Sequence, residues 1–157
     1  MTIQRQSGFT LLEGIIVMSI LAVLSAIGAP TLSDALRERT TSSAADQFAA
    51  THSLARATAV RYGRVAQLHI APNTKSFYIE VDTSATGINQ RAKVGHVRQL
   101  DAVVGLTMTS TRTLLCFDAR GLAATTGTCQ AGDAQVIFAM SSAADTVNTT
   151  VLGKVLR

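Results

Sequence analysis

Apolar side chains fall along this chain in three successive rhythms. From Phe9 to Leu32 the stretch is a near-continuous run of Leu, Ile, Val and Ala, with Glu13 as its single charged side chain. At about 20 residues such a run is long enough to cross a bilayer as a helix. Past Pro30 the apolar positions spread out to spacings of mostly three and four: Leu32, Leu36, Ala45, Phe48, Ala49, His52, Ala55, Ala59 and Tyr62. That rhythm predicts an amphipathic helix with one packed face. Gly63 follows where a cap of positive φ belongs, so the helix is expected to end at Tyr62. Unbroken from Phe9 to Tyr62, it would measure about 80 Å at about 1.5 Å per residue. Gly28 and Pro30 are expected to kink or interrupt it.

After Gly63 the period becomes two. Ala66, Leu68 and Ile70 alternate within 64–70, Pro72-Asn73 marks a turn, and Phe77, Ile79 and Val81 share a face of 76–82. This pattern predicts a β-hairpin. A polar stretch, 83–93, reads as a loop. Further strands are expected at 97–109, 113–118, 134–140 and 146–156, with Gly121, Gly127 and Gly132 punctuating a loop. The order gives an α+β fold, a long N-terminal helix laid against an antiparallel sheet. The domain organisation follows: a leader over 1–8, a membrane-spanning half-helix over 9–32, and a globular domain over 33–157.

A carboxylate within an apolar span costs roughly 2.5–3.5 kcal/mol, which makes a functional pairing the default reading of Glu13. No partner for it is evident within the chain. The segment before the span carries Arg5 and no acid, suiting a leader held on the cytoplasmic side. Ala29 is followed at once by Pro30, a poor place for an ordinary signal cleavage, whereas a cut after Gly8 leaves the apolar run intact.

The run Gly8-Phe9-Thr10-Leu11-Leu12-Glu13, followed by an apolar stretch and Pro30, resembles the prepilin signature of type IV pilins and type II secretion pseudopilins. The resemblance implies that a prepilin peptidase cuts between Gly8 and Phe9, that Phe9 becomes N-methylated, and that Glu13 engages the N-terminal amine of a neighbouring subunit. An amine and a carboxylate offset each other's desolvation where either alone would be expensive. Within the pilin-like group the chain resembles the H-type minor pseudopilins and FimT-like minor pilins (the GspH/FimT-like family). Leu54-Ala55-Arg56-Ala57, Ala59 and Arg61, the following hairpin, and Leu115-Cys116-Phe117-Asp118 before Arg120-Gly121 carry that likeness.

The implied role is a minor subunit of a type II secretion system or type IV pilus that initiates or caps the fibre. Its partners would be other pilins or pseudopilins, the peptidase and the bacterial inner membrane, with the globular domain in the periplasm. An alternative from the same resemblance is a DNA receptor for natural transformation, because some FimT-like minor pilins carry a basic C-terminal motif of glycine and arginines. Here the corresponding segment is Gly153-Lys154-Val155-Leu156-Arg157. It departs from the motif in having lysine directly after the glycine. Lys154 and Arg157 would hold the phosphates; otherwise they are solvated charges at a strand end.

Composition narrows the field. The chain has 157 residues, 4% aromatic and no Trp, enough beyond the span for one small domain with a modest aliphatic core. The formal charge is +4, or +3 without Arg5, and the basic residues are scattered, a mild bias toward anionic partners. Cys116 and Cys129 are the only cysteines. In an oxidising compartment a disulfide is the natural reading, two buried thiols the alternative. His52, His69 and His96 lie far apart and form no ligand motif with a cysteine, so no metal or other cofactor is expected. Asn148-Thr149-Thr150 reads as a polar strand edge. Nucleophile-elbow, phosphate-loop, dinucleotide and zincin motifs are lacking, and Glu80 and Asp82 alternate with Val81 as the solvated face of a strand. An enzyme is not expected.

Overall fold

The computed structural model describes residues 9–83, 91–125, 129, 133–150 and 152–156, the side chains of 27 and 29 excepted. The chain divides into two compact units, Met1–Leu36 and Arg37–Arg157, joined by a helix, α1, assigned over Leu11–Tyr62.

In the first unit the helix starts where the sequence supplies a cap. The Thr10 carbonyl accepts from the Gly14 N–H at 3.2 Å, and its side-chain oxygen accepts from the Glu13 N–H at 3.3 Å. The first bond opens the helical ladder, and the second satisfies one of the N–H groups that the first turn leaves without a partner. Phe9, Leu11, Leu12, Ile15, Ile16, Met18, Leu21 and Leu24 are all exposed, so this part of α1 is apolar around its whole circumference, as a helix surrounded by lipid or by other helices is. By length and composition it is able to cross a membrane. The hydroxyls of Ser19, Ser25 and Ser33 donate to the carbonyls of Ile16, Leu21 and Pro30 at 2.7–2.8 Å. They make no demand on the surroundings. Helical assignment passes through Gly28 and Pro30 without a break, although Pro30 supplies no N–H to the ladder.

The second unit packs the rest of α1 on two four-stranded antiparallel sheets. The strands are β1 (Ala66–Ala71), β2 (Ser76–Asp82), β3 (Arg91–Gln99), β4 (Thr107–Ser110), β5 (Leu114–Phe117), β6 (Ala134–Met140), β7 (Ala143–Thr149) and β8 (Val155–Leu156). One sheet has the order β3-β2-β1-β5, the other β4-β6-β7-β8. The packed stripe of α1 begins at Thr41 and Ala44, not at Leu32 and Leu36, which are exposed. Phe48 joins the layers: its ring meets Phe77 of the first sheet edge-on at 5.6 Å and Phe138 of the second at 6.1 Å. Around it Ala45, Ala55, Leu68, Ile79, Val81, Val136 and Val147 form one core.

Three expectations need correction. The polar stretch holds the start of a nine-residue strand, β3, because Arg91, Lys93 and Val94 pair with Asp82, Glu80 and Ile79. An edge strand exposed on both faces has no apolar alternation to betray it. The expected strand over 97–109 is two elements separated by turns at 101–105, where Gly105 has a φ of 82°. The run 146–156 is likewise divided by a turn closing at Gly153, φ 71°, before β8. Thr150 holds that turn through its own N–H to the Lys154 carbonyl at 2.9 Å.

Candidate functional site

Two places carry the residues singled out by sequence. At the N-terminal end of α1, Phe9 is exposed and Glu13 stands on the third position of the helix. Its carboxylate has no side-chain partner among the described residues. Gly8 lies outside the described residues. Thr10 was missed as a contributor, although Thr-x-x-Glu ahead of an apolar run is a capping signal. By occupying the Glu13 N–H, it fixes the first turn and leaves the carboxylate free for an external group.

The second place is the end of α1, where two loops dock. Gly63, with φ of 64°, ends the helix as expected. Its N–H reaches the Val60 carbonyl at 3.3 Å and the Arg64 N–H reaches Ala59 at 3.2 Å, the paired bonds of a Schellman cap. One turn earlier, Arg56 Nε donates to the Gly121 carbonyl at 2.8 Å. The loop bearing Gly121 is ordered by Asp118, whose carboxylate accepts from the N–H groups of Arg120 and Leu122 at 2.8 and 2.9 Å and from Arg120 Nε at 3.1 Å. The bond from the Leu122 N–H, foremost, and those from Arg120 hold the Asp118 carboxyl below its usual range. Gly121, φ 76°, lies so near α1 that an added Cβ would sit 3.3 Å from Val60. Gly153 of the last turn packs against the same group, its Cβ position 3.5 Å from Arg56, Gly121 and Phe117.

Below these loops His52 is 1% exposed, edge-on to Phe117 at 4.9 Å, and its Nε2 has no hydrogen-bond partner. Burial first, and the Arg56 charge second, lower its pKa from 6.5 to about 4. It is a neutral core residue. Cys116 and Cys129 form a disulfide with Cα atoms 5.7 Å apart. The bridge lies on the outward face of the first sheet in a satellite cluster with Ala124, Val65 and Leu114. Beside it, Gln67 Nε2 points to Cys129 Sγ at 3.6 Å, and Arg91 Nη1 donates to Gln67 Oε1. Lys154 is exposed at the end of the Gly153 turn, and Arg157 lies outside the described residues. Glu80 and Asp82 do face outward, partnered by His69 at 3.2 Å and Arg64 at 3.6 Å. The His69 Nε2 is close to Glu80 but not aligned as a hydrogen bond.

The loops at the end of α1 are built from the segments Leu54–Ala57 and Leu115–Gly121, and these lie within a stretch, residues 44–151, that matches the family model of the type II transport protein GspH. The chain belongs to the GspH family. The prokaryotic N-terminal methylation motif matches residues 3–29 of this GspH-family chain. Its fold is that of the type IV minor pilin FimU of Pseudomonas aeruginosa, at 16% identity and a TM-score of 0.57, over 74% of this chain and 86% of that one. It is also that of the minor pseudopilin EpsH from the Type 2 Secretion System of Vibrio cholerae. There the identity is 13% and the TM-score 0.56, over 74% and 94% of the two chains. Comparison with curated proteins finds no sequence match.

Proposed function

We propose that this GspH-family chain is a minor subunit that initiates or caps a fibre, the pseudopilus of a type II secretion system or a type IV pilus. Prepilin peptidase removes residues 1–8, Phe9 is N-methylated, the apolar half of α1 stores the subunit in the inner membrane, and the β domain stands in the periplasm. On assembly the helix moves from lipid to a bundle of like helices, an exchange of one apolar surrounding for another. Glu13 then supplies register by pairing with the N-terminal amine of a neighbour. The single observation that carries this reading is the methylation-motif match over 3–29, on a helix whose circumference is apolar apart from one unengaged carboxylate. Incorporation of Glu13→Ala and Glu13→Gln into fibres, with membrane insertion followed in parallel, tests it. Normal insertion with reduced incorporation is expected; normal incorporation of both variants overturns the role given to Glu13.

The DNA-receptor alternative rests on exposed Lys154, beside Gly153. Its signature would be affinity that falls steeply with salt, through counterion release, and that weakens in Lys154→Ala with Arg157→Ala. Binding insensitive to both would remove it.

A further inference from the structure

The geometry points to a second interaction surface: we propose that β3 and the cleft it forms with α1 receive an extended acidic segment of a partner protein, added as a strand to the sheet. β3 is the terminal strand of its sheet, so one row of its backbone N–H and C=O groups has no strand partner among the described residues. Such an edge is a template for strand addition. Every side chain of the strand except Val94 is exposed.

Three features select the occupant. The strand Arg91–Gln99 carries Arg91, Lys93, His96 and Arg98 and no acid. Arg91 is held by Gln67 and Lys93 lies over the Tyr78 ring at 4.4 Å. The side chains of His96 and Arg98 instead make no hydrogen bond, ion pair or ring contact with any described residue. Both line a cleft of about 210 Å³ with Gln47, Leu54, Ile79 and Val94. A cleft of that size is below the roughly 300–1,000 Å³ of small-molecule sites, and suits one or two side chains of a docked chain. Leu54, Ile79 and Val94 in its lining, with the Arg98 guanidinium beside them on a strand that bears no acid, fit aliphatic residues alternating with carboxylates. A second copy of β3 is disfavoured, since like charges would face each other across the new pair.

The edge is also shaped. Phe77 pairs with Arg98 but Ile79 with Val94, so Gly95, His96 and Val97 stand against Tyr78 alone. Gly95 has φ 78°, and an added Cβ there would lie 3.9 Å from Leu54. This bulge carries His96 and Arg98 to the cleft side and increases the local twist, which rejects flat, unselective pairing.

The test uses the full chain in neutral-detergent micelles and a labelled synthetic peptide of alternating valine and glutamate, with a valine-lysine peptide and duplex DNA as comparisons. Fluorescence anisotropy is expected to show binding of the glutamate peptide alone. Arg98→Glu, a change at an exposed side chain, is expected to weaken it about tenfold, His96→Glu to weaken it in the same direction, and the peptide to slow hydrogen exchange at β3 amides. Equal binding of both peptides, no loss with Arg98→Glu, or unchanged β3 exchange overturns the proposal. DNA binding tighter than the peptide, with the same dependence on Arg98, overturns it in favour of a nucleic acid. None of these readouts requires fibre assembly, so the outcome is independent of the role proposed for Glu13.

Discussion

Arg56 and Gly121 are 65 positions apart, and a single 2.8 Å hydrogen bond from the guanidinium Nε to the glycine carbonyl ties the end of α1 to the loop after β5. The bond is charge-assisted and partly buried. Its removal in Arg56→Ala is expected to destabilise the domain by roughly 1.5–3 kcal/mol. Urea unfolding at neutral pH measures this, and Arg56→Lys, which lacks the planar fork, should recover only part of the loss. A midpoint unchanged in Arg56→Ala would show that the bond is replaced by water without cost.

Gly121 itself is constrained twice, by a positive φ and by Val60 3.3 Å from its Cβ position. Gly121→Ala is expected to cost about 1–2 kcal/mol from the backbone conformation alone, with crowding added. Combining it with Val60→Ala relieves only the crowding, so a double-mutant cycle separates the two. Strict additivity of the two changes would argue against the contact.

His52 predicts a pH dependence. Unfolded, it titrates near 6.5; folded, its pKa is about 4. Between those values the unfolded chain binds the proton that the folded one refuses, so stability falls as pH drops from 6.5 toward 4. The full loss is about 3 kcal/mol. Above pH 6.5 the residue contributes no slope. His52→Leu should flatten the acid limb of a stability curve; an unaltered acid limb would show that His52 becomes hydrated instead.

The disulfide closes a loop of 13 positions between β5 and the glycine-punctuated segment. In the chain-entropy model that constraint is worth about 3 kcal/mol. Cys116→Ala with Cys129→Ala is expected to lower the unfolding midpoint while leaving the far-ultraviolet signature of the sheets unchanged. Loss of the sheet signature would mean that the bridge organises more than its own loop.

Legibility in the sequence follows the strength of the physical signal. The apolar span, the helix end at Gly63 and the hairpin of β1 and β2 were readable because burial on one side imposes a period. β3 was not, since an exposed edge strand leaves its residues free of any period, and a charged composition resembles a loop. The start of the packed stripe was misplaced because Leu32 and Leu36 keep helical spacing with the core residues beyond them. Cys116 and Cys129 were readable as a pair, whereas Arg56 and Gly121 were visible only as family-like residues, their bond depending on two loops meeting a helix end. His52 kept the apolar spacing, and its burial is what that spacing requires.

The principal core holds neither cysteine: Phe48, Leu68, Phe77, Ile79, Val136 and Phe138 close around one another, and the cystine stands apart on the opposite face of the first sheet. The bridge is therefore not among the contacts that close the main core. With open thiols the β domain is expected to keep its architecture, the bridge restraining the segment that follows β5. A copy of the chain whose thiols stay reduced is therefore expected to build the same core, at lower stability.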